Sequence, residues 1–451
     1  MKYLTLIISL IFTQISFAQN DSTFIRKIYD EALEKGHAYQ NLHSLCKDVG
    51  ARLTGSAEAD MAVKWGEKLL NSYGFDKVYL QEISIPHWER GTTEAGWIED
   101  ANGKVHKLNI LALGGSIHTD GLINAEVVVF ENLDALKKAA PSAVKDKIVF
   151  LNDAFDQKMI QTFQAYGACY PQRGEGAKEA GNLGAKAIVI RSLASSTDQH
   201  PHTGSMHYDD TKKKIPAAAI STMDADLLSN WLKKGKVTLS MEMDCKLLLN
   251  KTSYNVIAEM NGKDDQVITW GGHLDSWDVG EGAHDDGAGI VHSIEALRIL
   301  KSLGYKPQHK LRCVLFMNEE NGNMGGSTYA KWCKSNKEIH LAAIESDRGG
   351  FLPTGFDVRG SNEQLAFVQG FKDLLYDFEL FKFDQGYSGV DIGPLMEEYP
   401  EMLQLGMTIN SQLYFNYHHS EADVFEAVNK RELELGAAAM AAMIYLLDSH
   451  L

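Results

Sequence analysis

The sequence predicts an α/β fold in which a mixed, mostly parallel sheet is flanked by helices and interrupted by a β-rich insertion. Three observations predict it. From about residue 254 the pattern runs strand, loop, helix and then repeats, which puts helices on both faces of a sheet. Between about residues 108 and 245 the character changes to short apolar runs separated by Gly, Asp and Pro. The length of 451 residues exceeds one ordinary domain, so two units, or one carrying a large insertion, are expected.

Taken in order, the elements read as follows. From Ser56 onward Met61, Trp65 and Leu69 recur at i, i+4 and i+8, and Gly74 supplies a stop, which describes an amphipathic helix. A strand-like run, Lys77 to Ile85, reads as ending at Pro86. The insertion carries the apolar runs Ala125–Phe130, Ile148–Leu151 and Ala187–Ile190, with a helix-like piece from Gly176 to Leu183. Gln266–Trp270 is a strand. Gly287 to Leu303 is a helix with Ile290, Val291, Ile294 and Leu297 on one face, ended by Gly304 and Pro307. Leu311–Met317 and Leu341–Ile344 are further strands, and no internal repeat is visible.

The first residues read as an address. Lys2 gives a positive start, Leu4 to Phe12 is mostly apolar, and Ser16-Phe17-Ala18 offers small residues at the positions a signal peptidase inspects. A signal peptide over residues 1–18, cut after Ala18, and a secreted or periplasmic protein are therefore expected. No cysteine follows the cut, which argues against a lipoprotein anchor, and no later apolar run approaches the roughly 20 residues of a membrane span. The formal charge of -16 argues against nucleic acid, whose phosphates need a basic footprint. The five cysteines are widely spaced and form no C-x-x-C, so zinc-finger and thioredoxin-type readings fail. Cys313 reads as a small buried side chain, and one disulfide is compatible with export, with no pairing favoured.

Four groups of metal-ligand side chains punctuate the α/β part: His273-Leu-Asp275-Ser-Trp-Asp278, His284-Asp285-Asp286, Glu319-Glu320 and Glu345-Ser346-Asp347. The first, third and fourth follow directly on a strand, at its carboxyl end, where open α/β sheets bind ligands. Acidic pairs and a histidine converging there cannot all stay ionised and unpaired, because like charges raise one another's pKa. A divalent cation removes that conflict. Zinc takes His nitrogen and carboxylate oxygen at about 2.0–2.2 Å and, in catalytic sites, leaves one position for water. Each group alone is weak evidence; four of them in this order form a much stronger signal.

Together these residues resemble the co-catalytic zinc aminopeptidase and carboxypeptidase family. The resemblance covers nearly the whole mature chain. It rests on Gly50 to Ser56, Gly271 to Gly280, Asp285-Asp286-Gly287, Asn318-Glu319-Glu320 and His418-His419-Ser420-Glu421-Ala422-Asp423. It implies a discontinuous zinc peptidase domain over 19–107 and 246–451 with the zinc exopeptidase fold. The segment 108–245 resembles a protease-associated domain on Lys147-Ile148-Val149 and Gly184 to Ile190. Two Zn2+ per chain are implied, with Asp285 bridging them, His273 and Asp347 completing one, and Glu320 and His419 completing the other. Family members set the last ligand before a small hydroxyl residue with an acid four positions on, a pattern that fits His419 and not His418. Glu319 is implied to be the general base that takes a proton from the water held at the metals. Asp275 is implied to accept the second ring N–H of His273, and a cis peptide is implied between Asp285 and Asp286. Gly389-Val390-Asp391-Ile392-Gly393-Pro394 resembles the family's substrate loop, which makes Gly389 and Asp391 expected substrate-binding residues.

The activity implied is hydrolysis of dipeptides or short peptides with a free amino terminus, the α-amine binding near one metal. The same resemblance leaves manganese or cobalt open beside zinc, and implies a homodimer. His200, His202 and His207 read either as a polar loop of the insertion or as a second metal site. No G-x-S-x-G follows a strand, and Gly322 to Gly326 lacks the lysine of a phosphate loop. Two other classes stand against the peptidase. A single-zinc glutaminyl cyclase shares the fold without the full ligand set, and a receptor-like relative that has lost metal ligands acts by binding proteins.

Overall fold

The computed structural model describes residues 20–209 and 213–451, so the expected signal peptide at 1–18 lies outside the described residues. Two eight-stranded sheets organise the described residues. The first runs Lys77–Glu89, Lys246–Met260, Lys310–Phe316, Val267–His273, His340–Glu345, Leu403–Ile409, Pro353–Arg359 and Lys382–Gln385. Its four central strands, Lys310–Phe316 through Leu403–Ile409, are mutually parallel, and antiparallel pairs flank them. All four therefore end at one edge of the sheet.

Alternation along these strands feeds two cores, because successive side chains leave a strand on opposite faces. Leu311, Cys313 and Leu315 join Trp270, Ile344 and Leu405 beneath the helices Ala288–Ser302 and Lys430–His450. Val314 and Phe316 face the other way, onto Tyr329 and Ala330 of the helix Met324–Ser335 and Leu395 of Gly393–Glu398. Burial on both faces is what a parallel sheet requires. The helix opened by Ser56 spans Ala57–Ser72, the Ser56 side chain accepting from the Ala59 N–H as its cap.

The strand beginning at Lys77 does not end at Pro86. It continues to Glu89 with a bulge between Ile85 and His87. Proline is tolerated there because this is the edge strand and the bulge absorbs the missing N–H. Its partner Lys246–Met260 pairs with it from Lys77↔Glu259 to Glu89↔Lys246.

Between those paired ends the second sheet is built, from strands lying between Glu94 and Met243 and thus beginning upstream of residue 108. Its order is Val105–Lys107, Glu94–Asp100, Val237–Met243, Ile123–Phe130, Ile148–Leu151, Ala187–Arg191, Ala217–Ile220 and Ile110–Ala112. One face, with Val149, Leu151, Ile188 and Ile190, shares a core with Phe351, Ile409, Tyr414 and Phe415 of the first unit. All five cysteines are buried free thiols. Among the described residues no helix is long and apolar enough to cross a membrane.

Candidate active site

The carboxyl edge of the parallel strands gathers the chemistry. His273 is the last residue of Val267–His273, Glu319 and Glu320 follow Lys310–Phe316, and Asp347 follows His340–Glu345. Asp285 stands in the turn before the helix Ala288–Ser302, and His419 lies beyond Leu403–Ile409. The five side chains converge. His273 Nε2 lies 3.3 Å from Asp285 Oδ1 and 3.5 Å from Asp347 Oδ1. His419 Nε2 lies 3.1 Å from Asp285 Oδ2 and 3.2 Å from Glu320 Oε2. Asp285 Oδ2 is nonetheless buried with no hydrogen-bond partner, and so is Glu320 Oε1, the oxygen that His419 does not approach.

His418 stacks on His419 with ring centroids 3.6 Å apart, and its Nε2 stands 3.6 Å from Asp285 Oδ2. It reaches one acid where His419 reaches two. The peptide bond between Asp285 and Asp286 is cis.

Several buried groups hold these donors. The His273 ring presents Nδ1 to the backbone carbonyl of Asp275 at 3.0 Å, while the Asp275 carboxylate stays 3.8 Å away. The expected carboxylate partner is thus replaced by a carbonyl of the same residue. The carboxylate is taken up elsewhere, accepting from the Thr54 hydroxyl at 2.6 Å and from the N–H groups of Asn318 and Glu319 at 2.8 and 3.2 Å. Asp286 accepts from the N–H groups of His273 and Gly289. Asp423, the acid four residues after His419, accepts from the N–H groups of His284 and Asp285 at 2.7 and 3.0 Å and so fixes the turn that bears Asp285. Arg52, fully buried, donates to the carbonyls of Leu274, Glu281 and Gly282 and braces the loop between His273 and Asp285.

Charge is strongly redistributed here. Burial acts to lower the pKa of His273, but the adjacent Asp285 and Asp347 outweigh it and hold the ring well above its usual value. Burial likewise opposes the charge on His419, and Glu320 with Asp285 pushes it up to about 9. Burial lowers His418 well below the usual value, and the charge of His419 adds to that. Glu319, half-buried, is raised well above the carboxylate range by burial and by Asp347 and Glu320, against the pull of His273. Glu345 is pushed up to about 8, first by burial and then by Asp347.

A cleft of about 730 Å³ opens over these donors. Gly389 lines it, and a Cβ there would lie 2.1 Å from the Glu345 carboxyl carbon. Asp391 does not line it. Glu345 accepts the N–H groups of Val390 and Ile392 and turns Asp391 inward, where both its carboxylate oxygens are buried without partners. The insertion contributes Phe163, Tyr166, Tyr170 and Arg173 to its lining, residues that carry no signal in the sequence.

Residues 255–444 match peptidase family M28. A peptidase M28 precursor from Shewanella amazonensis SB2B is 33% identical, superimposes with a TM-score of 0.91, and is matched over 96% of this chain and 98% of its own. The chain belongs to peptidase family M28. Carboxypeptidase Q of Bos taurus is 35% identical to this M28 member over 426 residues, which are 93% of this chain and 86% of that protein. BSAP, a zinc aminopeptidase from Bacillus subtilis, shares the fold with a TM-score of 0.64 and 22% identity over 91% of this chain and 93% of its own. With this membership and the likeness to carboxypeptidase Q, the M28 chain is a metallo-exopeptidase.

Proposed function

We propose that this M28 peptidase hydrolyses dipeptides or short peptides with a free amino terminus, using two zinc ions and Glu319 as general base. The carrying observation is the division of Asp285. Its Oδ1 faces His273 and its Oδ2 faces His419, and Asp347 and Glu320 complete the two groups. The 3.3 and 3.5 Å separations around His273 fit a four-coordinate zinc, and the 3.1 and 3.2 Å separations around His419 lie just below that spacing. Bonds of about 2.0–2.2 Å around a tetrahedral ion leave about 3.3–3.6 Å between ligand atoms. The unpaired oxygens of Asp285 and Glu320 support the same fit, since a buried acceptor without a donor is costly unless a cation meets it.

His273, Asp285 and Asp347 would hold one ion, and Asp285, Glu320 and His419 the other. Bound there, zinc polarises a peptide carbonyl and makes water acidic enough to attack at neutral pH. Glu319 faces the cleft and takes the proton of the attacking water, then returns it to the leaving amine. Asp275 steadies this base by holding its backbone N–H. The cleft volume suits a short peptide, and the aromatic side chains that the insertion adds to its lining supply apolar contact. The intact donor set speaks against a purely binding role. We read the second unit as a protease-associated insertion, the chain as exported, and its assembled form as a homodimer.

Glu319→Gln tests the mechanism. Metal analysis should still find two zinc ions per chain, while kcat on an unblocked dipeptide falls about 10²–10⁴-fold. Full hydrolytic activity in that variant would refute the role of Glu319. An amino-blocked dipeptide cleaved as fast as its free form would refute the substrate class.

A further inference from the structure

The stretch Gln199 to His207 belongs to the insertion, yet it lies against the turn that carries His419. Among the described residues its three histidines form no group of metal-ligand donors. The loop instead contacts the segment that carries His419. The ring of His202 donates through Nδ1 to the His418 carbonyl at 2.6 Å. The Thr203 N–H donates to the His419 carbonyl at 2.9 Å. The Thr203 carbonyl accepts from His419 Nδ1 at 3.2 Å, and His200 Nδ1 stands 2.7 Å from Glu421 Oε1.

The loop is itself fixed. His202 and Thr203 are buried, at 1% and 0% exposure. Ser192 Oγ accepts the His202 N–H at 2.8 Å, and the Thr203 hydroxyl donates to the Ala112 carbonyl at 2.8 Å. Arg173 donates to the Thr203 carbonyl at 3.2 Å, its guanidinium 3.3 Å from His419 Nδ1. His419 has φ of +63°, a left-handed conformation that a residue with a side chain rarely adopts and that persists only where its surroundings over-determine it.

We propose that this loop is a positioning clamp for His419: His202 and Thr203 hold the backbone on both sides of the 418–419 peptide, and the Thr203 carbonyl takes the Nδ1–H so that Nε2 faces Asp285 and Glu320. The inference rests on the reading of His419 as a ligand. A ligating histidine is oriented by what its other nitrogen donates to, and such outer partners are worth roughly 10–100-fold in metal affinity. The insertion thereby becomes part of the metal centre without supplying a donor to it.

The full chain, stripped by a chelator and titrated with Co2+ as a spectroscopic stand-in for zinc, tests the clamp. His202→Asn keeps an N–H near the Nδ1 position, whereas His202→Gln carries it out to the Nε2 position. His202→Asn should fill both sites as the parent does. His202→Gln should weaken one of the two by about tenfold, the low end of that range, and leave the other unchanged, with kcat lowered and KM held. Equal affinities in the parent and both variants would overturn the clamp. Equal weakening of both sites by His202→Gln would overturn it too, since that marks a general loosening of the fold. His419→Ala separates the two readings: if it binds both ions as tightly as the parent, the ligand assignment itself fails, whatever the His202 variants do.

Discussion

At Asp275 one carboxylate collects the Thr54 hydroxyl and the backbone N–H groups of Asn318, Glu319 and Glu320, the last at 3.4 Å. Every partner is a donor, so an amide in its place would turn its own N–H toward another N–H or O–H. Asp275→Asn should therefore lose about 1–3 kcal/mol of stability, the cost of leaving a buried donor unmet, and should lower kcat because one of the two oxygens that hold the Glu319–Glu320 backbone becomes a donor. Denaturant melts and steady-state kinetics check both, and a variant with parental stability and kcat would contradict the account. The sequence could say that an acid two residues after His273 lies near it. It could not say which oxygen of Asp275 meets the ring, because that depends on how the chain turns at Leu274. The same limit applies to Asp391, whose inward turn is imposed on its loop by Glu345 at the end of the strand His340–Glu345.

Strands carry their own charged interior. Arg312, 2% exposed in its side chain, lies between Glu259 on the neighbouring strand at 2.8 Å and Glu338 at 2.6 Å. Burial acts to raise the pKa of Glu338, but Arg312 and His340 outweigh it and hold the carboxyl below its usual range. A carboxylate whose folded pKa is depressed contributes stability that is fully present above its unfolded value, about 4.3, and is lost as pH falls through the folded value. Glu338→Gln should thus cost about 2 kcal/mol at pH 7, less than the roughly 3–5 of a fully buried pair because Glu259 still meets Arg312. The gap from the parent should narrow below about pH 4, as unfolding midpoints measured across pH would reveal; a gap independent of pH would refute the ion pair as its source. Elements were legible where large apolar and β-branched residues cluster, as in Val267–His273 and Lys310–Phe316. Pro353–Arg359 and Leu403–Ile409 carry no such cluster, because polar residues and a glycine are interleaved with their apolar ones. Pro86 misled for a related reason: its missing N–H ends a central strand but not an edge one, and only pairing tells the two apart.

Across the whole molecule the two sheets meet on aromatic rings. Phe415, 1% exposed, stacks on Tyr166 at 4.7 Å and meets Phe155 at 5.6 Å, both in the insertion. Phe415→Ala should cost about 3–5 kcal/mol and reduce metal retention on dialysis, because His419 lies four residues on. Parental stability in that variant would show that the rings do not hold the sheets together. The convergence of donors at one edge was legible because three of the four groups close a strand; the contact with the insertion was not, since nothing local links Tyr166 or Thr203 to residues beyond 400. The final rung of the edge ladder, Glu89 facing Lys246, has a consequence of its own. The chain departs for the second sheet and returns to the first at a single point, and closing so long an excursion adds only the logarithm of its length. A tight turn across that rung would leave the first sheet's register untouched and all five proposed metal donors present. Such a shortened chain would look complete by any census of ligands, yet it would lack the carbonyl that sets which way its last histidine points.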